Sequence, residues 1–359
     1  MLKRSIISLI VILSTLLILT VPALALSGSG TSSDPYLVGS LADLKSVVES
    51  GNGGYIQLTA NIPLTSKYTF PAKSFTIDGQ GQYGFVASAS TWATGGSTKH
   101  LVGINTSGQA VTFKNLTFDC GSVAQGVNVY VASNVTLDNV TINNCSTKTM
   151  SALTVNGSNV TVVNGLNIPG NLMMAIDVSK GSGVTQIPSF VLSGECTING
   201  IIMGSGTGTV VSLSAGTYNK KPNAKYIATG YYARDNGDKT WTILPITYTV
   251  KFETEGGDAI EDASVPYGGT FSLPVPSRAG YNFVGWYLDD GFATPYEGGE
   301  ISGDMVLYAL WEEAPVESEP EPEPEQSAPV TGDTAPLGLW VLLIAISAGM
   351  IVALRKRSA

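Results

Sequence analysis

Charged residues make up only 13% of the 359-residue chain, and it holds a single histidine, His100, and three cysteines. One histidine excludes a histidine-rich metal centre. Three cysteines are too few for a disulfide scaffold. Arginine is nearly absent from the first two thirds: between residues 28 and 245 only Arg234 occurs. A net charge of −9 excludes a nucleic-acid partner as the expected ligand. Much of that acidity sits in one tract, Glu312 to Glu325, and does not describe a folded surface. Glycine, serine, threonine, asparagine and valine are abundant instead, which favours short strands joined by many turns.

The two ends carry targeting signals. Lys3 and Arg4 precede an apolar run from Ile6 to Val21, and Pro22-Ala23-Leu24-Ala25 follows. This is the layout of a secretory signal peptide over residues 1–25, with Ala23 and Ala25 as the small residues that direct cleavage after Ala25. The alternative is an uncleaved N-terminal anchor. At the other end, residues 337–354 are apolar and Arg355-Lys356-Arg357 follows. Eighteen residues make roughly 27 Å of helix, enough to span a hydrocarbon core. The basic cluster keeps its end in the cytoplasm and the long N-terminal part outside.

Ala328-Pro329-Val330-Thr331-Gly332 stands just before this segment. Motif, apolar span and basic tail over 328–359 resemble the cell-wall sorting signal of Gram-positive surface proteins, Leu-Pro-x-Thr-Gly. Ala328 occupies the leucine position. The resemblance implies a sortase that cuts between Thr331 and Gly332 and joins Thr331 to peptidoglycan. If the motif is not cut, the helix remains as a single-pass anchor. Residues 313–327 alternate Glu and Pro, cannot bury enough apolar surface to fold, and are expected to be an extended, disordered linker.

The middle of the chain repeats. Ala110–Phe118 aligns with Asn134–Ile142 at a spacing of 24, and a third copy begins at Asn159. Each copy alternates apolar and polar residues, bends at an asparagine and alternates again. Val111, Phe113, Leu116 and Phe118 are predicted to point inward. Asn115, Asn139 and Asn164 are predicted to stack at one corner, where asparagine tolerates left-handed geometry. A period in the low twenties without helical segments suits one coil of a parallel β-helix, whose coils bury their apolar faces only by stacking. Ser40, as N-cap with Asp43 three residues on, predicts a short helix at the start. Residues 28–245 resemble pectate-lyase-like β-helix surface proteins, in which a helix caps the solenoid. The stretch from Ser214 through Tyr231 to Ile243 reads as the closing coil and C-terminal cap.

From 247 to 312 the texture changes to Tyr248-Thr249-Val250-Lys251-Phe252, Gly256-Gly257, Tyr267-Gly268, Gly280-Tyr281, Phe283, Gly285-Trp286-Tyr287 and Leu307-Tyr308-Ala309 with Trp311. These residues resemble the internalin-type B repeat, or Listeria–Bacteroides repeat. The resemblance implies a small β-grasp-like module serving as a stalk or interaction unit. The expected fold is therefore all-β: a right-handed parallel β-helix, a β-grasp-like module, a disordered linker and one transmembrane helix.

No catalytic constellation is legible. Asp78, Asp119, Asp138, Asp177 and Glu195 are single and scattered, which supports neither a carboxylate pair nor a calcium cage. His100 is expected to be an ordinary surface residue. Cys120 and Cys145, about one coil apart, read as stacked buried thiols or as a disulfide. The Asn-x-Ser/Thr triplets at Asn105, Asn115, Asn134, Asn139, Asn144, Asn156 and Asn159 read either as glycosylation acceptors or as turn and strand residues of a solenoid. The expected function is a non-enzymatic surface protein, without cofactor or metal, that binds an extracellular glycan or protein. A surface-anchored polysaccharide lyase or hydrolase is the alternative.

Overall fold

The computed structural model describes residues 27–315, apart from residues 90–91, 93–98, 123, 131–132, 146–150, 171 and 182. The cleavage residues Ala23 and Ala25, the sorting motif Ala328–Gly332, most of the linker and the apolar segment 337–354 lie outside the described residues. No helix among the described residues is long and apolar enough to cross a membrane.

The chain is mostly strand. Strand β1 (Tyr36–Val38) leads into a short helix, α1 (Leu41–Lys45), continued by one π turn over Ser46–Ser50. Ser40 caps α1: its Oγ accepts from the Asp43 amide at 3.2 Å and donates to the Asp43 carboxylate at 2.7 Å. Leu44, Val47 and Val48 of this segment are buried and cover the open end of the core.

Successive turns follow. The first carries β2 (Gly54–Leu58), β3 (Ile62–Leu64) and β4 (Tyr68–Phe70). The next carries β5 (Phe75–Asp78), β6 (Gly84–Ala87) and β7 (His100–Ile104). Then come β8 (Ala110–Asp119) with β9 (Gln125–Tyr130), and β10 (Asn134–Asn143) with β11 (Leu153–Asn156). The later turns carry β12 (Asn159–Val162), β13 (Leu166–Ile168) and β14 (Met174–Ser179), then β15 (Ser189–Leu192), β16 (Thr197–Ile198) and β17 (Ile201–Ser205). Strands β18 (Val210–Leu213) and β19 (Thr217–Tyr218) complete the series, and the antiparallel hairpin β20 (Tyr231–Asp235) and β21 (Trp241–Pro245) closes it.

Each strand pairs in parallel with its counterpart one turn away. Val111 faces Val135 and Val135 faces Val160, while Phe113 faces Leu137 and Leu137 faces Val162. Among the described residues the ladders form one 15-stranded sheet, bent because β8 and β10 run through its corner, and one 6-stranded sheet, β4-β7-β9-β11-β14-β17. Neither closes on itself. Inward positions hold aromatics at the N-terminal end, where Phe113 packs on Phe70 and Phe118 at ring separations of 5.4 and 5.3 Å. Leu137, Val162, Leu192 and Leu213 continue the same column and are fully buried.

The corners are built by specific side chains. Asn115 and Asn139 take φ of 48° and 55°, and the Asn139 amide donates to Asn115 Oδ1 at 3.0 Å. Asn164 departs from the predicted stack. It donates to Asp138 Oδ1 at 2.7 Å, and the positive φ of this turn falls on Gly165 instead. At another corner the fully buried Ser133 Oγ accepts the Thr106 amide, and Ser158 Oγ accepts the Ser133 amide, so hydroxyls satisfy N–H groups that the bends turn inward. Cys120 and Cys145 are buried free thiols with Sγ atoms 3.2 Å apart. The hydrogen bond between them, with burial, holds the Cys120 thiol well above the usual range.

His100 contradicts the expectation of a surface residue. It opens β7 opposite Gln125 and is 3% exposed, because its place in the strand puts it inside the sheet rather than in a loop.

Strands β22 (Thr247–Glu253), β23 (Ala263–Pro266), β24 (Tyr281–Tyr287), β25 (Pro295–Tyr296) and β26 (Met305–Glu313) form a separate mixed sheet, ordered β23-β22-β26-β24-β25. Its own core holds Val250, Val265, Trp286, Ile301, Leu307 and Ala309. Trp286 is buried and donates to the Pro274 carbonyl, and Trp311 donates to that of Thr254. A Cβ on Gly257 would lie 2.4 Å from the Trp311 ring, so only glycine admits this packing.

Phe113→Ala should cost about 3–5 kcal/mol, the usual loss for a fully buried aromatic. Thr112→Val, on the outward side of the same strand, should stay within about 0.5 kcal/mol. Chemical denaturation of both variants checks this, and equal effects would show that the column does not form the core.

Candidate functional site

Strand alternation places polar residues outward in columns as regular as the core. On one side of the asparagine corner, Thr76, Thr112, Thr136 and Thr161 face one another in direct register. On the other side, Thr117, Thr141, Asn167, Thr197, Thr217 and Thr242 do the same, the last step crossing to the antiparallel hairpin. Adjacent members are separated by the strand spacing of about 4.8 Å. Each threonine fits because a β-branched side chain suits a strand, and its hydroxyl is both donor and acceptor.

The second column opens into a cleft of about 670 Å³. Asn167, Thr197, Thr217 and Thr242 line its floor, and Asn139, Asn164 and Glu195 line its side. The hairpin strand β21 supplies the far wall through Ile243, Leu244 and Pro245. Glu195 is the only carboxylate in this lining. A single carboxylate beside hydroxyls and amides can orient a polar ligand, but it does not form the acid–base pair that glycoside hydrolysis uses.

The remaining acids are distributed. Asp78, Lys114 and Asp138 share an outward column in adjacent strands, and Lys114 lies 3.7 Å from Asp138. Tyr55 donates its hydroxyl to Asp78 at 2.9 Å. Burial, then the Asp78 hydrogen bond and charge, and then the Asp138 charge push the Tyr55 phenol up to about 12. Asp119 accepts from Asn144 at the next corner, and Asp177 lies on the 6-stranded sheet. Among the described residues no three His, Cys, Asp or Glu side chains are grouped to hold a metal ion. Of the sequence-derived carboxylates only Asp78 and Asp138 share a column, with Lys114 between them, and Asp177 lies on the other sheet.

The cleft residues Thr197, Thr217 and Thr242 were not singled out by sequence. The interval between register partners changes along the column, from Thr117–Thr141 to Thr197–Thr217, so the periodicity that reveals the earlier repeats fades before the cleft.

Residues 248–310 match the model of the Listeria-Bacteroides repeat domain. Two proteins of Evansella cellulosilytica are each 41% identical to this chain over 68 residues, which is 18% of its length. Their provisional names are a membrane protein and a Gly-rich membrane protein. The chain covers 10% and 8% of their lengths, so the likeness is local. The repeat accounts for the aromatic residues around β24 and β26. Trp286, with 2% exposure, serves packing there and offers no open aromatic platform.

Replacing Asp78 by Asn should bring Tyr55 down from about 12 toward the ordinary tyrosine range without reaching it, because burial remains. The raised value means that Tyr55 favours the fold below pH about 10 and that this contribution fades as pH rises through about 12. Tyrosine-selective 13C NMR titration checks the shift, and an unchanged midpoint would remove Asp78 as a cause.

Proposed function

We propose that this chain is an exported, surface-anchored binding protein without catalytic activity. A right-handed parallel β-helix over residues 28–245 displays the ligand site, a β-grasp-like repeat over 247–312 supports it, and the C-terminal tail tethers both. The ligand is an extended polar chain, of which a glycan is the best chemical fit. The observation that carries this reading is the cleft, with its row of Thr197, Thr217, Thr242 and Asn167 and its single carboxylate, Glu195. Hydroxyls and amides at a fixed repeat suit a ligand that presents hydroxyls at intervals, and their neutrality suits binding without turnover.

Surface placement rests on the sequence signals at both ends, on the repeat and on the local likeness to relatives named as membrane proteins. The tether follows from the sequence: the Glu/Pro tract spaces the domains from the bilayer, and Thr331 is the point of covalent attachment to peptidoglycan by a sortase.

The full chain should bind immobilised glycans saturably and release no product from them. Thr197→Val with Thr217→Val removes two hydroxyls while keeping branched side chains, and should weaken binding at least tenfold, about 1.4 kcal/mol. Release of oligosaccharide would overturn the non-catalytic reading, and unaltered affinity would remove the cleft as the site. Mass spectrometry of wall-released protein should find Thr331 as the last residue, bearing a peptidoglycan fragment. An intact Ala359 would refute sorting.

A further inference from the structure

Strand β17 ends the 6-stranded sheet, so one of its sides has no neighbouring strand. The Ile201 amide donates to the Met173 carbonyl, and the Ser205 carbonyl accepts from the Lys180 amide, which turns residues 201, 203 and 205 toward β14. In a parallel ladder every second residue bonds to a given neighbour, so Gly200, Ile202 and Gly204 turn their main chain toward the free side. The stretch from Asn219 to Tyr226 touches that side at two points. Asn219 Oδ1 accepts the Gly200 amide at 2.7 Å. The Tyr226 hydroxyl accepts the Gly204 amide at 2.7 Å and donates to the Gly204 carbonyl at 3.2 Å. Ile202 lies midway between these two clamps, and among the described residues nothing takes its N–H or C=O from that side.

A cavity of about 460 Å³ stands at this point. Ile202 lines it together with Ile201, Met203, Lys220 and Lys221. The last four side chains are exposed, so the cavity opens to solvent and its main-chain groups can be reached. No carboxylate lines it; Asp177 pairs with Met203 in register but lies outside the lining. Beyond Tyr226 a second hollow of about 310 Å³ holds Lys225, again without a carboxylate. In a chain of net charge −9 this is a local cationic site. The pocket therefore offers one donor and one acceptor on a single extended residue, two apolar side chains beside them, and cations with no internal counter-charge.

We propose that this pocket docks an acidic peptide segment, which pairs with the main chain of Ile202 and sets its carboxylates against Lys220 and Lys221. Another extended residue matches a free N–H and C=O by exchanging two hydrogen bonds with them, the interaction by which peptides add to sheet edges. A carboxylate alone would satisfy the N–H and leave the C=O without a donor. An anionic glycan supplies the charge but not a donor and acceptor at peptide spacing. The two clamps limit the pairing to a short stretch, because the Gly200 amide and both Gly204 groups are already taken. The site is separate from the threonine cleft, and the two linings share no residue.

Fluorescence anisotropy of the full chain in detergent tests this, with an acetylated and amidated hexapeptide that alternates glutamate and valine as the probe. It should bind saturably, and more weakly as salt rises. Lys220→Gln with Lys221→Gln, both at exposed positions, should weaken binding roughly tenfold. Lys45→Gln with Lys239→Gln removes the same charge elsewhere and should leave it unaltered. The same peptide with every amide N-methylated keeps its charge, loses its donors and should not bind. In the parent protein labelled with 15N-isoleucine, the Ile202 amide signal, assigned through Ile202→Val, should move as the peptide is added. Equal binding by a lysine–valine peptide, by an oligouronate of the same charge or by the N-methylated peptide would overturn the proposal. So would full affinity in the Lys220 and Lys221 double variant, a static Ile202 signal, or no binding to the full chain, including occupation of the pocket by its own Glu312 to Glu325 tract.

Discussion

Parallel pairing between one turn and the next is the interaction on which everything else depends. A single turn such as β8–β9 has strands too short to enclose a core, and its inward residues gain burial only when the turn above supplies a matching column. Phe113 has Ile77 on one side and Leu137 on the other through the same register that aligns Thr112 with Thr76 and Thr136. Register therefore fixes the core and the outer surface together. A slip of one residue would exchange Phe113 for Thr112 at the same position. The resulting surface carries its polar side chains in rows, which is why the threonine columns run along the stack.

Such stacking leaves two weak points, the corners and the ends. At the corners the chain must turn without orphaning its amides. Left-handed Asn115 and Asn139 turn it at one, and at another the Ser133 and Ser158 hydroxyls accept the Thr106 and Ser133 amides. At the ends, unpaired strands would invite pairing with another chain. Helix α1 and the π turn after it cover the first end with Leu44 and Val48, and the β20–β21 hairpin ends the parallel ladder by pairing antiparallel with β19. Strand β17 remains an edge, and there the Tyr226 phenol accepts the Gly204 amide at 2.7 Å, occupying a group that would otherwise bond to a neighbour.

How much of this could be read from the residues follows from where the interval between turns is constant. Residues 110–118 and 134–142 share their length, alternation and corner asparagine, so the inward set Val111, Phe113, Leu116 and Phe118 was legible. From Asn164 onward the turns vary. Gly165 takes over the left-handed position, Asn164 bonds to Asp138, and neither the cleft nor the aligned Thr197 and Thr217 could be seen. His100 misled for a related reason. Its neighbours Gly95-Gly96-Ser97-Thr98 suggest a loop, and nothing in the sequence announces that the chain enters β7 at that residue.

The two folded units divide the work according to size. A unit of about 65 residues buries a small share of its surface and must commit its aromatic rings to packing. Trp286 and Trp311 accordingly turn their indole N–H groups to the Pro274 and Thr254 carbonyls, and little remains for a ligand. The longer stack fills its core with aromatics at the N-terminal end and aliphatic columns beyond, and its outward side chains are not needed for that packing. The join between the units is short and held. Ile246 alone separates β21 from β22, its carbonyl accepts the Tyr267 amide at 2.9 Å, and the Tyr267 ring lies against Gly230, where a Cβ would approach it to 2.9 Å. A glycine at 230 thus admits the ring that ties the repeat to the last hairpin. Because that hairpin also forms the wall of the cleft, the repeat braces the part of the stack where the cleft lies.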